Sequence, residues 1–389
     1  MLAFCLSMPR DRKLHPYFSI LTILIVILSF TSCTTVTPME ALPPLSPHSM
    51  LKQLSPLIES ELQQTVSTRI DGLAASHERI ANVPAQFKRE LAIETLKHPW
   101  HGLTILEQHG LLLAQLAEGG APNLPALLNA LEAGMDRSSE RHIPIRIPPY
   151  TTRENMRTVI LQTFEQAASH RDRALKKLTV DERRFLFHHA ASFAEHFTPQ
   201  YSTMSGQTAV QLKSNLRFTT LLSEQVAYAG LIASAQALTR LTDAQWLDAI
   251  AEAFRTAPPL QTVPPGITGE VVFAEDTTYG LIVIGGTGPN TYEMDGRFAL
   301  IIDLGGDDLY RGIIGASSSE ERGNAAVIDL GGNDTYLGDR LGLATGCLGV
   351  GLVIDQAGND HYHLSEGSGG AGFAGLGILL DITGDDTYT

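Results

Sequence analysis

Four stretches decide the fold: DLGGDDLY (303–310), DLGGNDTY (329–336), DQAGNDHY (355–362) and DITGDDTY (381–388). They align without gaps, and their first aspartates, Asp303, Asp329, Asp355 and Asp381, are 26 residues apart each time. A weaker fifth copy, GGTGPNTY (285–292), precedes them with an 18-residue step from Tyr292 to Tyr310. A constant period of roughly 20–50 residues means structural units that stack. Each copy follows a short apolar run, IVI, LII, AVI, LVI or ILL. One unit therefore reads as strand, sharp Gly-Asp turn, short strand, second turn and return, a 26-residue coil of a parallel β-solenoid. Such a unit is too short for a helix with two loops. Glycines alternating with larger residues upstream of the last two copies let neighbouring coils approach while Leu, Val and Ile fill the interior.

Stacking brings equivalent residues of adjacent coils to roughly 4.8 Å. Every coil carries two or three carboxylates at its turn, so like charges lie over one another. Each such contact costs about 0.9 kcal/mol in bulk water and about 3.5 kcal/mol at an effective dielectric of 20. Calcium between the coils would offset that repulsion, because carboxylates and turn carbonyls are the hard oxygen ligands it takes. The candidate metal ligands are Asp303, Asp307, Asp308, Asp329, Asn333, Asp334, Asp355, Asn359, Asp360, Asp381, Asp385 and Asp386. A metal-free alternative stands beside it: Asp and Asn at turns bond their own backbone, and Asn stacks into amide ladders.

The segments GGNDTY, AGNDHY and GGTGPNTY resemble the glycine- and aspartate-rich nonapeptide of RTX proteins, whose parallel β-roll binds calcium between successive turns. The resemblance implies that Asp308, Asp334, Asp360 and Asp386 are ligands, that the tyrosines take the inward apolar position, and that Gly306, Gly332, Gly358 and Gly384 are turn glycines. The period here is 26 rather than nine, Asp303 and its equivalents stand where that motif has its first glycine, and Asn290 takes the ligand position of the weak copy.

Outward from the repeat, the 389 residues divide sharply by charge. Of 42 acidic and 28 basic residues, 19 acidic and four basic ones lie in 270–389, leaving 23 against 24 before them. The net charge of −14 is thus a property of the repeat, which also holds 25 of the 35 glycines. It excludes nucleic acid as a partner, since phosphate binding is driven by Lys and Arg. The expected architecture is α + β and multidomain: an all-helical domain at 49–256, a Pro-rich linker at 257–269, and the solenoid at 270–389, expected to be incomplete at its C-terminus because Thr389 follows the last Tyr where most of a coil is still to come. Helical spacing runs through 101–118, 124–135, 151–177 and 207–240, with capping boxes at Thr179–Glu182 and Thr242–Gln245. His188, His189 and His196 read as ordinary helix histidines, because neither HExxH nor a complete zinc ligand set is present, and Ser205-Gly206 lacks the GxSxG setting.

The N-terminus supplies an address. Arg10, Arg12 and Lys13 precede the apolar run YFSILTILIVILSF (17–30), a basic region followed by an apolar core too short to span a membrane comfortably. Residues 1–32 therefore read as a secretory signal, and 33–48, rich in Pro, Ser and Thr, as an extended tether. The tetrapeptide Phe30-Thr31-Ser32-Cys33 resembles the lipobox of bacterial lipoproteins, with Phe where Leu is commonest and Thr where Ala or Ser is usual. That resemblance implies acylation of Cys33, export and a lipid anchor in the cell envelope, at the bacterial outer membrane. Cys347 falls in an apolar strand and reads as packed, so no disulfide framework is expected.

The functional expectation is a non-catalytic envelope lipoprotein whose calcium-binding solenoid is a structural, adhesive or binding surface, with an envelope protein or polysaccharide as partner. The alternative is a polysaccharide-acting parallel β-helix enzyme, a lyase or hydrolase using Asp and calcium. Identical aspartates on every coil and the absence of Lys from residues 270–389 weigh against the enzyme, since catalysis needs carboxylates in differing environments. No catalytic residue is assigned.

Overall fold

The computed structural model describes residues 5–6, 108–134 except 109 and 118, 152–196, and 209–389 except 318 and 321. Cys33, the tether, nearly all of the signal and residues 49–107 lie outside the described residues.

The C-terminal region is a parallel β-solenoid built from strands that alternate between two sheets. The first sheet holds β1 (Gly280–Gly285), β3 (Phe298–Asp303), β5 (Asn324–Asp329), β7 (Val350–Asp355) and β9 (Leu376–Asp381). The second holds β2 (Thr291–Met294), β4 (Leu309–Ile314), β6 (Thr335–Leu343), β8 (His361–His363) and β10 (Thr387–Tyr388). Neighbours pair in parallel, and from β3 onward the offset follows the 26-residue period: Asp303, Asp329, Asp355 and Asp381 are aligned in the first sheet, and Tyr310, Tyr336, Tyr362 and Tyr388 in the second. Antiparallel strands Val271–Thr277 and Ile267–Thr268 close the two sheets beside β1 and β2, while Cys5–Leu6 pairs in parallel along β9.

Val283, Ile301, Val327, Val353 and Leu379 point into the solenoid against Tyr292, Tyr310, Tyr336, Tyr362 and Tyr388. The tyrosine rings stack face to face at centroid separations of 4.7–5.0 Å, which is the strand spacing itself. Strands β1, β3, β5 and β7 are buried at every position, so both faces of the first sheet are covered. That is why the sequence there runs IVI, AVI and LVI instead of alternating apolar with polar.

Helices cover the outer face. Residues 139–389 and 120–125 form one compact unit, and within it lie α2 (Arg153–Leu175), α3 (Val180–His196), α4 (Ala209–Gln225), α5 (Tyr228–Leu238) and α6 (Ala244–Phe254). Helix α1 (Leu124–Gly134) belongs for most of its length to a second unit, of which the described residues cover little else. Among the described residues no helix is long and apolar enough to cross a membrane.

Helix α5 is buried at every residue from Gly230 to Leu238, lying between α2 and the first sheet. Ser234 Oγ donates to the carbonyl of Ala167 on one side (2.8 Å) and lies 3.2 Å from the Asn324 side chain at the start of β5 on the other. Arg171, 6% exposed, donates from Nε to the Leu348 carbonyl at 2.8 Å and lies directly over Gly323. Arg157 closes the other end as a bidentate pair with Glu275. The capping box at Thr179–Glu182 forms as read, Glu182 Oε2 accepting from the Thr179 N–H (2.8 Å) and Thr179 Oγ1 from the Glu182 N–H (3.3 Å). The second cap moves by one residue: Asp243 accepts from the Trp246 N–H (3.0 Å), because Thr242 closes a short 3-10 turn and bonds back to the Thr239 carbonyl.

Helices α2 and α5 approach closely at Gly230, where an added Cβ would meet Ala174 Cβ and the His170 carbonyl, each at 2.9 Å. Gly230→Val should lower the unfolding free energy by about 1–3 kcal/mol, the usual cost of overpacking, measured by urea denaturation. An unchanged midpoint would contradict the α2–α5 contact.

Candidate metal centre

Each Gly-Asp turn sends consecutive side chains in opposite directions, and this divides the twelve predicted ligands into two columns. The outer column is Asp307, Asn333, Asn359 and Asp385. Asp307 Oδ1 accepts from the Asn333 N–H at 2.9 Å, Asn333 Oδ1 from the Asn359 N–H at 3.0 Å, and Asn359 Oδ1 from the Asp385 N–H at 2.9 Å. The side-chain amides of Asn333 and Asn359 reach the same oxygens at 3.3 Å. This ladder satisfies itself, as the metal-free reading describes, and it is exposed to solvent.

The inner column is Asp303, Asp308, Asp329, Asp334, Asp355, Asp360, Asp381 and Asp386. It supplies three groups in which one oxygen from each of three carboxylates lies within 4.8 Å of the others: Asp303 with Asp308 and Asp329, Asp329 with Asp334 and Asp355, and Asp360 with Asp381 and Asp386. These groups could hold a metal ion. The first six aspartates of the column are between 0% and 3% exposed, which is unusual for a group that is ordinarily charged.

Two kinds of bond hold the inner carboxylates. Asp308, Asp334, Asp360 and Asp386 each cap the coil before them: Oδ1 accepts the N–H of Asn290 (2.6 Å), Asp308 (2.6 Å), Asp334 (2.7 Å) and Asp360 (3.0 Å), respectively. Asp303, Asp329 and Asp355 accept the N–H two residues on, at 2.8–3.2 Å, and a tyrosine hydroxyl from the coil before them. Tyr292 donates to Asp303, Tyr310 to Asp329 at 2.5 Å, and Tyr336 to Asp355 at 2.7 Å. The direction then changes: Tyr362 donates to Asp355 of its own coil (3.3 Å) and Tyr388 to Asp381 of its own coil (2.8 Å).

The tyrosine hydroxyls escaped the sequence reading, which took these rings only as inward apolar residues. A signal was present, because every copy has Tyr and none has Phe, and a buried phenol needs a partner. Burial and the neighbouring aspartates raise the tyrosine pKa values well above the ordinary range, so the phenols keep their protons and donate.

After these bonds are made, Oδ2 of Asp308, Asp334 and Asp360 and Oδ1 of Asp381 remain buried with no N–H or hydroxyl donor, and neighbouring carboxyls can bond to Asp308, Asp360 and Asp381 only by sharing a proton. An unpaired buried carboxylate oxygen is costly, and its charge more so. Accordingly, burial first and neighbouring aspartates second push the carboxyls of Asp303, Asp329 and Asp334 up, the Asp329 group to about 7 and the Asp303 group to about 8. Burial likewise lifts Asp355 and Asp360, each to about 7. Two things can neutralise such a column: protons or a cation. Among the described residues no group of His or Cys joins these oxygens, and Cys347 is a buried thiol whose pKa burial lifts to about 12. His189 sits in the helical layer, with Nδ1 at 3.0 Å from the Phe185 carbonyl.

Without metal, the folded carboxyls bind protons more tightly than the ordinary value near 3.8, so the folded state holds protons that the unfolded chain has lost. The associated stability is complete below pH ~4 and is lost as pH rises through the folded values. The melting temperature of EDTA-treated protein should therefore fall from pH 5 to pH 8, and a flat profile would show that the column does not titrate there. Tyr310→Phe removes the hydroxyl donor to Asp329 and should cost about 1–3 kcal/mol in the same preparation, measured by urea denaturation.

No protein-family model matches the chain, and neither does a curated protein or a solved structure.

Proposed function

We propose that the protein is an exported cell-envelope lipoprotein, anchored through acylated Cys33, whose solenoid takes up calcium between its coils and serves as a rigid structural or adhesive surface. The observation that carries the metal part of this reading is the set of orphaned oxygens on Asp308, Asp334 and Asp360, buried among carboxylates and left over after turn capping has used their partners. An all-oxygen, anionic donor set suits a hard cation. Calcium fits better than magnesium, because it tolerates irregular geometry and sheds water more readily. Outside the cell, weak sites suffice, since extracellular calcium modules work at dissociation constants of about 10⁻⁴–10⁻³ M.

Burial also separates this reading from the enzymatic alternative. A polysaccharide lyase or hydrolase must bring its carboxylates to a glycosidic bond, and the carboxylates of Asp329, Asp334 and Asp355 are at most 1% exposed. Their role is to bind coil to coil. What faces outward is the self-satisfied ladder of Asp307, Asn333, Asn359 and Asp385, a polar strip on which an envelope protein or a polysaccharide could dock.

Differential scanning calorimetry of the full chain, stripped with EDTA and then supplied with calcium at pH 7.5, tests the metal reading. Calcium should raise the melting temperature and cancel the fall with pH. No shift, together with no heat in a calcium titration, would remove calcium from the account. The anchor is tested separately: Cys33→Ala should abolish incorporation of labelled palmitate and release the protein from the membrane fraction, and retention with unchanged labelling would refute lipidation.

A further inference from the structure

Asp329 belongs to two of the three carboxylate groups, with Asp303 and Asp308 on one side and with Asp334 and Asp355 on the other. The geometry points to Asp329 as a carboxylate bridging two cations, so that the two inner sites form one binuclear unit while the Asp360, Asp381 and Asp386 site stands apart. This inference rests on the reading that the inner column binds calcium.

Three observations carry it. In register, Asp329 lies between Asp303 and Asp355, one strand spacing from each, so its two faces look toward different coils. Its oxygens are not exhausted: Oδ1 accepts only the Gly331 N–H (2.8 Å) and Oδ2 only the Tyr310 hydroxyl (2.5 Å), and a carboxylate oxygen has a second lone pair. On each side an independent, unpartnered oxygen completes the pocket, Oδ2 of Asp308 in one group and Oδ2 of Asp334 in the other, on residues 3% and 1% exposed. A ligand is therefore missing on both faces of Asp329. The charges agree: the two inner groups hold five carboxylates between them, so two divalent ions leave a single negative charge where a single ion would leave three.

The unit differs from the Asp360, Asp381 and Asp386 site in its Tyr bonds. Tyr310 and Tyr336 reach forward to the aspartate of the next coil and lock Asp329 and Asp355 in place, whereas Tyr362 turns back to Asp355 and leaves Asp381 to Tyr388. The binuclear unit is thus held by hydroxyl donors from four coils, Tyr292, Tyr310, Tyr336 and Tyr362, and the third site by Tyr388 of its own coil.

The test is ion stoichiometry by native mass spectrometry, with calcium affinities by titration calorimetry, on the EDTA-stripped full chain and three variants. The wild type should bind three calcium ions. Asp329→Asn should bind one, Asp334→Asn two, and Asp360→Asn two. Loss of a single ion in Asp329→Asn would overturn the bridge. Zero ions in the wild type would instead overturn the calcium reading beneath it, so the two failures are distinct. Should Asp329→Asn fail to fold, Asp308→Asn gives a second arm with Asp329 intact. There the ion held by Asp329, Asp334 and Asp355 no longer shares its ligand or faces a second cation, and should bind more tightly than either inner ion of the wild type. An unchanged affinity would show that the sites share nothing.

Discussion

A parallel register with a fixed 26-residue offset sets each side chain directly over its own copy, and everything else in the solenoid follows from that constraint. For apolar and aromatic residues the arrangement is favourable. Ile302, Ile328 and Ile354 align in one row, and the tyrosines stack with interplanar angles of 3–14°. For aspartate it is unfavourable, because burial removes the solvent that would screen like charges at one strand spacing. The same geometry that builds the core therefore builds the site. The carboxylates cannot be dispersed without losing the register, so they have to be neutralised where they stand.

Much of this was legible in the sequence because a repeat reports its own stacking. The period gave the coil, the apolar runs gave the strands, and the resemblance to the nonapeptide motif implied that Tyr faces inward. What one-dimensional reading could not separate was the consecutive pair Asp307-Asp308 and its equivalents, which look alike as letters. Only the turn decides that Asp308 faces in, capping the Asn290 N–H, while Asp307 faces out and receives Asn333. The tolerance for Asn follows this division. The outer column carries it at Asn333 and Asn359, where an amide both donates and accepts; the four clear copies carry none in the inner column.

The helical layer was less legible for a related reason. Helix α5 is apolar on all sides, YAGLIASAQAL, so its period names no single face, and the structure shows why: it is enclosed by α2 and by the first sheet. The polar contacts that fix it there, Ser234 to Asn324 and Arg171 to the Leu348 carbonyl, join residues 90 and 177 positions apart. No local pattern encodes such pairs. The strands did carry a hint, since runs apolar at every position imply a sheet covered on both faces.

The weak first copy is the internal control for the charge argument. At Asn290 the position of Asp308 and Asp334 is occupied by an amide, and its Nδ2 shares its two protons among Asp303 Oδ2 (3.1 Å), the Tyr292 hydroxyl (2.8 Å) and the Glu270 carbonyl (2.9 Å). Oδ1 accepts the Glu270 N–H at 2.6 Å, so this residue leaves no orphaned atom. The first coil thus meets the next carboxylate with a hydrogen-bond donor and adds no charge of its own at that position. The later coils put Asp at the same place, keep the turn-capping bond through one oxygen, and leave the other oxygen facing its neighbours unpaired. A chain that had only to close its turns could have repeated Asn290 at every step. By placing negative charge there instead, it makes the stability of the coils depend on something that arrives from solution, whether a proton or a cation.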